Sequence, residues 1–316
     1  MLADFVLIAI GLGVVAKGGD LFVDSSIAIG RSLRVPRFVI GGTLVSLATT
    51  TPEAVVSALA SSVGDSGIAL GNALGSCICN IGFIVGTVAV LTRVEVDPRA
   101  LRPRAAWMVS AAVLVVVFTW DRTLSRGLAT VLLGFAFAYL AWDFLAIRRQ
   151  RDTVVGNAGV ERGALAKPVG QFLLGAALIV IGSRLLVDTG QSLAVALGIP
   201  SVVIGLSVVA IGTSLPELVT GVSAARKGVP DLSLGNIIGA NVLNLFLIIG
   251  LSGTIHPLTL DWFTQVYSYG WLGLFFAILL GLSAPDGHFH RRGGLLLLAL
   301  YVVYMVGLVV VPRMAG

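Results

Sequence analysis

The sequence has 316 residues, of which 57% are hydrophobic and 12% are charged, and its mean hydropathy is +0.99. Soluble domains carry about 25% charged residues, so this composition excludes an ordinary soluble protein and favours a polytopic membrane protein. The net charge of +5 does not indicate a nucleic-acid partner, because the basic residues are spread over the segments between apolar runs.

Apolar runs of about 20 residues recur along the chain and predict ten transmembrane helices. The predicted spans are residues 3–30, 37–62, 67–91, 105–121, 125–147, 168–196, 200–225, 231–254, 262–284 and 293–312. The first run begins at Leu2 without a basic leader or a clear cleavage site, so we interpret it as a spanning helix. The sequence therefore predicts an all-α polytopic membrane protein.

Lysine and arginine are distributed unevenly over the loops between these spans. One set of alternate loops carries sixteen of them, and the other set carries only Arg122, Arg126 and Arg313. Cytoplasmic loops are the ones enriched in Lys and Arg. The bias predicts that both termini lie outside the cytoplasm, and it supports the helix count, because a missed helix would mix the two sets.

The chain also repeats itself. Residues 18–86 align with residues 182–250 at a constant offset of 164, without a gap, and about a third of the positions are identical. Five spans separate equivalent points, and five is odd, so the two halves must cross the membrane in opposite senses. Such an inverted-topology repeat is mainly a transporter architecture, with the substrate site at the repeat interface. We expect five-helix repeats at 1–147 and 168–316, joined by a cytoplasmic linker at 148–167.

A proline and a glutamate interrupt the second and the seventh span, in ATTTPEA (48–54) and GTSLPEL (212–218). Proline lacks an N–H group and its ring clashes with the carbonyl four residues earlier, so Pro52 and Pro216 predict two discontinuous helices. Residues with hydroxyl groups precede each proline: Thr49, Thr50, Thr51, Thr213 and Ser214. Hydroxyls and freed carbonyls beside a carboxylate are the hard oxygen ligands that Ca²⁺ and Na⁺ prefer.

Glu53 and Glu217 occupy equivalent positions in the two inverted halves, so a pseudo-twofold axis can bring them together. Two carboxylates in a low dielectric repel strongly and must take up a proton or a cation. A divalent cation neutralises both at once, and we therefore predict a divalent cation site. The alternative, a kinked helix with a protonated glutamate that only packs, would have to occur twice in register.

The second paired motif is GNALGSCICN (71–80) with GNIIGANVLN (235–244). Its glycines are spaced four residues apart and allow close helix contact. We interpret Asn72 and Asn236 as residues that form hydrogen bonds between helices. Asn80 is eight residues after Asn72 and lies on the same helical face as Asn72. Asn80 and Asn244 each offer an uncharged carbonyl oxygen, so we predict that both are cation ligands.

These paired motifs resemble the two α-repeats of the cation/calcium exchanger superfamily, and the branch they are most similar to is that of the prokaryotic sodium/calcium exchangers. The resemblance covers nearly the whole chain. It implies a secondary active antiporter, not an enzyme, in the cell membrane of a prokaryote. It also implies Ca²⁺ and Na⁺ as substrates, no cofactor and no obligate protein partner, and first and sixth helices that slide across a rigid core of eight helices.

The resemblance further implies a ligand set drawn from the second, third, seventh and eighth helices. Its members are the carbonyls of Ser46 and Ala210 and the side chains of Thr49, Thr50, Glu53, Ser76, Asn80, Thr213, Ser214, Glu217 and Asn244. The sequence departs from the pattern at Ala240, where relatives often have a serine, and at Asn244, where many have an aspartate. With two carboxylates and no third, the site suits one Ca²⁺. Exchange of three Na⁺ for one Ca²⁺ would be electrogenic.

Three other functions remain open. A calcium/proton antiporter typically carries a glutamate three residues after the Asn of each GN motif, where this chain has Gly75 and Gly239. A passive cation channel would conduct without a counter-ion. An intramembrane enzyme would need a nucleophile and a base, and the three histidines lie in loops near the C-terminal end. The cysteines Cys77 and Cys79 are too few for a zinc site, and we interpret them as packing residues.

Charged residues within the first span invite a functional interpretation. Lys17 and Asp20 are spaced three residues apart, which favours a local ion pair on one helical face. In the sixth span, Arg184 and Asp188 are spaced four residues apart, which also favours a local ion pair. Asp24 and Asp188 are equivalent in the two halves, and a gating role on the first and sixth helices is the alternative interpretation.

Overall fold

The computed structural model describes residues 2–95, 97–154, 165–196, 210–262, 264–283 and 288–315. In these residues the regular structure is almost entirely helical. The helices are α1 (Leu2–Leu33), α2a (Arg37–Thr49), α2b (Thr51–Ser62), α3 (Ser66–Leu91), α4 (Pro98–Phe118), α5 (Arg126–Val154), α6 (Ala166–Ala196), α7a (Ala210–Thr213), α7b (Leu215–Arg226), α8 (Pro230–Ile255), α9 (Thr264–Ser268 continued by Tyr269–Ser283) and α10 (Arg291–Ala315).

Two short antiparallel strand pairs join loops of the first half of the chain to loops of the second. Strand β1 (Val94–Glu95) pairs with β4 (His288–Phe289), and β2 (Thr123–Leu124) pairs with β3 (Leu258–Thr259). Each pair lies beyond the end of a long helix, so backbone hydrogen bonds connect the helix ends of the two halves.

The prediction of an all-helical, multi-pass membrane protein is confirmed. In the described part of the chain, eight helices are long and apolar enough to cross a membrane, and the bent pair α2a–α2b makes a ninth candidate. The predicted seventh span, residues 200–225, lies partly outside the described residues, which resume at Ala210. The structure therefore accounts for nine of the ten predicted spans and for the second part of the remaining one.

Helices α3 and α8 form the centre of the molecule. In the most apolar stretch of α8, 89% of the residues are buried, and the value for α3 is 72%, against at most 33% for the other six unbroken candidate spans. A helix that is apolar around its whole circumference is expected to be surrounded by protein. The two GN motifs lie in these central helices, so the fold places both of them in its interior.

Equivalent glycines form the turns that lead into the central helices. Gly64 follows α2b with a φ of +80°, and Gly228 follows α7b with a φ of +68°. Residues with a side chain rarely adopt this left-handed conformation. Asp65 then caps α3 by accepting a hydrogen bond from the backbone N–H of Ile68 at 2.9 Å.

Glycines also allow α2a to lie directly on α8. A side-chain carbon at Gly235 would overlap the carbonyl of Phe38, and one at Gly239 would overlap the carbonyl of Gly42 and approach Ser46 Oγ to 2.7 Å. The two backbones are therefore in contact, which small residues at four-residue spacing permit. This contact sets the position of the helix that carries Thr49 and the break after it.

Helices α1 and α6 pack against each other through equivalent glycines. A side-chain carbon at Gly18 would lie 3.1 Å from the carbonyl of Gly175, and one at Gly175 would lie 3.0 Å from the carbonyl of Gly18. Gly11 and Gly182 approach each other in the same way, at 3.4 and 3.2 Å. Since these positions are related by the repeat offset of 164, the contact is reciprocal.

The fourth span begins earlier than residue 105, because Arg104 lies inside α4 and is buried. Its guanidinium forms an ion pair with Asp143 of α5, which is also buried, and lies 5.5 Å from the ring of Trp142. The charge pattern counted Arg104 as a loop residue. A buried arginine is tolerated where a buried carboxylate neutralises it, and sequence spacing alone did not reveal that pair.

Asp20 and Asp24 of α1 form ion pairs with Lys227, the residue that directly follows α7b. Lys227 Nζ lies 2.8 Å from Asp24 Oδ1 and 3.8 Å from Asp20 Oδ1, and Ser223 donates a hydrogen bond to Asp20 at 2.8 Å. The partner of Asp20 is therefore Lys227 rather than Lys17. These contacts connect one end of α1 to one end of α7b.

We predict that Gly239→Ala destabilises the protein by about 1–3 kcal/mol, because the added methyl group would overlap the backbone of α2a. Gly134→Ala is the control, since no described atom lies within 4 Å of a side-chain carbon at that position. The measurement is thermal unfolding of the detergent-solubilised protein. Equal midpoints for Gly239→Ala and the wild type would contradict the close contact between α2a and α8.

Candidate cation site

Both Pro-Glu motifs lie immediately after a break between two helical segments. Thr50 separates α2a from α2b with φ −81° and ψ −7°, and Ser214 separates α7a from α7b with φ −91° and ψ 8°. The α2a–α2b pair is bent by 41°. Each proline then occupies the first turn of the following segment, where it has no hydrogen bond to lose. In both halves a new helical segment thus begins just before the proline and carries the glutamate in its first turn.

Glu53 and Glu217 lie in the first turns of α2b and α7b, and both are 1% exposed. Their carboxyl groups lie against each other in the interior. Helix N-termini favour nearby negative charge, which offsets a part of the repulsion between the two groups. The structure therefore brings together the two glutamates that the repeat predicted to meet.

Five buried oxygen atoms of the predicted ligands have no hydrogen-bond partner, and two of them belong to the glutamate pair itself. They are Thr50 Oγ1, Glu53 Oε2, Asn80 Oδ1, Glu217 Oε2 and Asn244 Oδ1. Buried polar atoms are almost always satisfied in folded proteins, so a cluster of unsatisfied oxygens needs an explanation. All five belong to the ligand set expected from the sequence, and oxygen atoms of these types are suitable ligands for a hard cation.

The threonine hydroxyls make equivalent contacts in the two halves. Thr49 Oγ1 donates a hydrogen bond to Asn236 Oδ1 at 3.2 Å, and Thr213 Oγ1 donates one to Asn72 Oδ1, also at 3.2 Å. Thr49 also lies against the carboxyl group of Glu217. A hydroxyl that donates keeps lone pairs free for a cation. The interpretation of Asn72 and Asn236 as residues that connect helices by hydrogen bonds is confirmed.

The two residues whose carbonyls are predicted as ligands, Ser46 and Ala210, lie at equivalent positions in the two halves. The carbonyl oxygen of Ser46 accepts a hydrogen bond from the N–H of Thr50 at 2.9 Å, and Thr49 Oγ1, whose single hydrogen is shared with Asn236 Oδ1, lies 3.4 Å from it. Ala210 is the first described residue of α7a, one turn before Ser214. The Ser46 carbonyl is therefore close to the break in its helix, where it already accepts one backbone hydrogen bond.

Asn80 and Asn244 each begin a π-helical segment, Asn80–Val85 in α3 and Asn244–Ile248 in α8. Such segments shift the helical register locally and frequently occur at functional sites. The hydrophobic pattern of the sequence gave no indication of them.

Two residues that the sequence analysis did not assign to the site orient these asparagines. Asn80 Nδ2 donates a hydrogen bond to Asn241 Oδ1 at 3.0 Å, and the amide of Asn244 lies against the Cys77 thiol. Cys77 and Asn241 are themselves equivalent under the repeat. With its amino group held in this way, Asn80 keeps its carbonyl oxygen free. Cys77, which we expected only to fill space, therefore also contacts the amide of a predicted ligand.

The serine hydroxyls differ between the halves. Ser214 Oγ and Ser76 Oγ are 3.5 Å apart, and both residues are buried. Their equivalents are Thr50 and Ala240, and Ala240 has no hydroxyl. The contact between Ser76 and Ser214 therefore has no counterpart between two hydroxyls in the other half.

In the described residues, no group of three or more His, Cys, Asp or Glu side chains is placed to hold a metal ion. The candidate site instead combines two carboxylates with neutral oxygens, which is a donor set for hard cations rather than for zinc.

We predict that Asn241→Leu weakens calcium binding roughly tenfold, because the Asn80 amide loses the acceptor that fixes its orientation. The measurement is the rise in the unfolding temperature as calcium is added. Met108→Leu is the control, since Met108 also contacts Asn241 but at 4.0 Å through sulfur. An unchanged calcium response in Asn241→Leu would contradict the orienting role.

Comparisons with known proteins identify the family of this chain. A family model described as sodium/calcium exchanger protein matches residues 3–145 and 167–310. The sodium/calcium exchanger MaX1 of Methanosarcina acetivorans is 35% identical, over 96% of this chain and 97% of its own, and the inner membrane protein YrbG of Escherichia coli is 34% identical, over 96% of each. A solved structure of the sodium-calcium exchanger NCX_Mj superimposes with a TM-score of 0.84 at 30% identity, over 96% of this chain and 98% of that one. The chain belongs to the sodium/calcium exchanger protein family.

Proposed function

We propose that this protein exchanges sodium for calcium across the membrane by alternating access, with one Ca²⁺ held between Glu53 and Glu217. The observation that carries the proposal is the contact between these two buried carboxyl groups, each with one unpartnered oxygen, together with the unpartnered oxygens of Thr50, Asn80 and Asn244. One divalent cation balances both charges. Na⁺ can occupy the same oxygens when Ca²⁺ is absent, so the two ions compete for one site.

The ligand set that we propose is the one expected from the sequence. It comprises the carbonyls of Ser46 and Ala210 and the side chains of Thr49, Thr50, Glu53, Ser76, Asn80, Thr213, Ser214, Glu217 and Asn244. The burial of Thr49, Thr50 and Ser214 beside the glutamates supports this assignment.

We also propose that the chain forms ten spans in two inverted repeats, 1–147 and 168–316, with a cytoplasmic linker between them and both termini outside. Reciprocal contacts support a pseudo-twofold axis. Gly18 meets Gly175 while Gly11 meets Gly182, and Thr49 meets Asn236 while Thr213 meets Asn72. Residues related by the repeat offset can exchange partners in this way only if a twofold rotation relates the halves.

Alternating access requires that a part of the protein moves relative to the site. Helices α1 and α6 supply no residue of the proposed ligand set and pack on each other through their glycines. We propose that this pair slides across the remaining helices and exposes the site to each side in turn.

The alternative function is exchange of calcium for protons. It would be favoured by an additional buried carboxylate beside the pair, but the positions three residues after Asn72 and Asn236 are Gly75 and Gly239. Asn80 and Asn244 also contribute no charge. The sodium/calcium exchangers among the relatives further support sodium as the coupling ion.

We predict that proteoliposomes loaded with sodium take up calcium, whereas potassium-loaded vesicles and vesicles with only a proton gradient do not. Glu53→Gln and Glu217→Gln should each reduce uptake at least a hundredfold, since either change removes half of the charge that holds the ion. Glu95→Gln is the control, because Glu95 is exposed on β1. Uptake driven by the proton gradient would instead establish the alternative function.

We predict that the exchange is electrogenic, with three Na⁺ for one Ca²⁺. An inside-positive potential should then accelerate calcium uptake into sodium-loaded vesicles, because one net positive charge leaves per cycle. A potential of 100 mV contributes about 2.3 kcal/mol for each charge moved. The measurement is uptake at potentials set by potassium and valinomycin, and a rate independent of potential would indicate electroneutral exchange of two Na⁺.

A further inference from the structure

Charged and polar contacts hold the last third of α1 against the end of α7b. Lys227 Nζ lies 2.8 Å from Asp24 Oδ1 and 3.8 Å from Asp20 Oδ1. Ser223 Oγ donates a hydrogen bond to Asp20 Oδ1 at 2.8 Å. One ammonium group thus serves two carboxylates that lie one helical turn apart on α1. We call these four residues, Asp20, Asp24, Ser223 and Lys227, the latch.

A glycine lets α1 lie directly on α7b beside the latch. A side-chain carbon at Gly19 would lie only 2.5 Å from Val219 Cγ1 and 3.8 Å from the Cβ of Ser223. As a result, Ser223 is only 5% exposed and Val219 is half-buried. Helix α1, which we propose to move, therefore covers this face of α7b, the helix segment that carries Glu217.

The repeat does not reproduce the latch in the other half. The positions that correspond to it at the offset of 164 are Val63 and Leu59 for the α7b side, and Arg184 and Asp188 for α1. Valine and leucine cannot form an ion pair or donate a hydrogen bond, so Asp188 has no cationic counterpart at the position equivalent to Lys227. The latch is therefore specific to one end of the molecule.

The equivalent face of α2b is also open in the structure. Leu59 is 63% exposed, whereas its equivalent, Ser223, is 5% exposed. Val55 and Val63 on the same face are 43% and 81% exposed. Within the described ranges, this face of α2b thus lacks the cover that α1 gives to α7b. In an inverted repeat, one covered face and one open equivalent face mean that the protein is closed at one end and open at the other.

The charge pattern assigns these ends to the two sides of the membrane. The loop after α7b, with Arg226 and Lys227, belongs to the set rich in Lys and Arg, and the loop after α2b belongs to the other set. We propose that the latch holds α1 on α7b at the cytoplasmic end and thereby favours the conformation in which the cation site opens to the outer face. This inference rests on the proposed alternating access through movement of α1 and α6.

The exposure of the latch determines how strong it is. The side chain of Lys227 is 26% exposed, and those of Asp20 and Asp24 are 56% and 63% exposed. Ion pairs in contact with water change an equilibrium by only a small factor. The latch therefore makes the outward-open state the more populated one but still releases α1 in every transport cycle.

The first test measures how fast a membrane-impermeant thiol reagent modifies Val219→Cys from the cytoplasmic side, in inside-out vesicles. This position lies under Gly19, so the reagent reaches it only after α1 has left α7b. The two native cysteines are buried, and the wild type gives their background rate. Adding Lys227→Gln should increase the modification rate about two- to fivefold. Arg226→Gln, which removes the neighbouring charge, is the control and should leave the rate unchanged.

A charge exchange separates the ion pair from a general loss of stability. Lys227→Asp alone should increase the modification rate further, because it places a third carboxylate beside Asp20 and Asp24. Combining Lys227→Asp with Asp24→Lys restores an attractive pair and should return the rate toward that of Val219→Cys alone. An unchanged rate in Lys227→Gln, or an equal increase in Arg226→Gln, would overturn the inference.

Calcium transport gives an independent measurement. If few molecules are open to the cytoplasm, the apparent affinity at that face is reduced in proportion to their fraction. Lys227→Gln should therefore lower the half-saturating calcium concentration about two- to fivefold at the cytoplasmic face and change it little at the outer face. An equal change at both faces would overturn the inference. Failure of the wild type to exchange calcium under a sodium gradient would overturn the proposed function, whereas the thiol experiment tests the latch without requiring transport.

Discussion

Two carboxylates in contact inside a membrane protein are the constraint around which this molecule is organised. Unit charges about 4 Å apart repel by about 4 kcal/mol even at an effective dielectric constant of about 20. Glu53 and Glu217 are held together by the central helices and by the breaks at Thr50 and Ser214, which aim both side chains inward. The repulsion makes the empty pair unfavourable, and a bound cation relieves it. Binding of an ion and the relative position of the two halves are therefore linked.

Much of this arrangement was predictable from the sequence, because the repeat carries long-range information. A constant offset of 164 relates Glu53 to Glu217 and Thr49 to Thr213, and a pseudo-twofold axis between the proposed inverted halves can bring such equivalent residues together. The prolines predicted the helix breaks through local chemistry alone. The helix breaks could be predicted because they depend on residues next to each other in the chain. The approach of the two glutamates could be predicted because it follows from the symmetry of the repeat.

The sequence did not reveal two kinds of feature. The first is contacts between helices that the repeat does not relate to each other, and the second is local changes of helical register that leave no periodic pattern. Arg104 was counted with the loops, because its partner Asp143 lies in another helix and spacing cannot identify it. The role of Asn241 depends on a hydrogen bond to Asn80 across two helices, and the π-helical segments depend on local register. The pairing of Lys227 with Asp24 likewise joins distant parts of the chain.

The most direct measurement is the location of a bound ion. Strontium is a chemical substitute for calcium with usable anomalous scattering, so crystals of the protein soaked in strontium would show the site in a difference map. Our account predicts one dominant peak between the carboxyl groups of Glu53 and Glu217, about 2.3–2.6 Å from their oxygens. A dominant peak elsewhere, for example beside Asp65 and Asp261 in the loops, with no density between the glutamates, would contradict it.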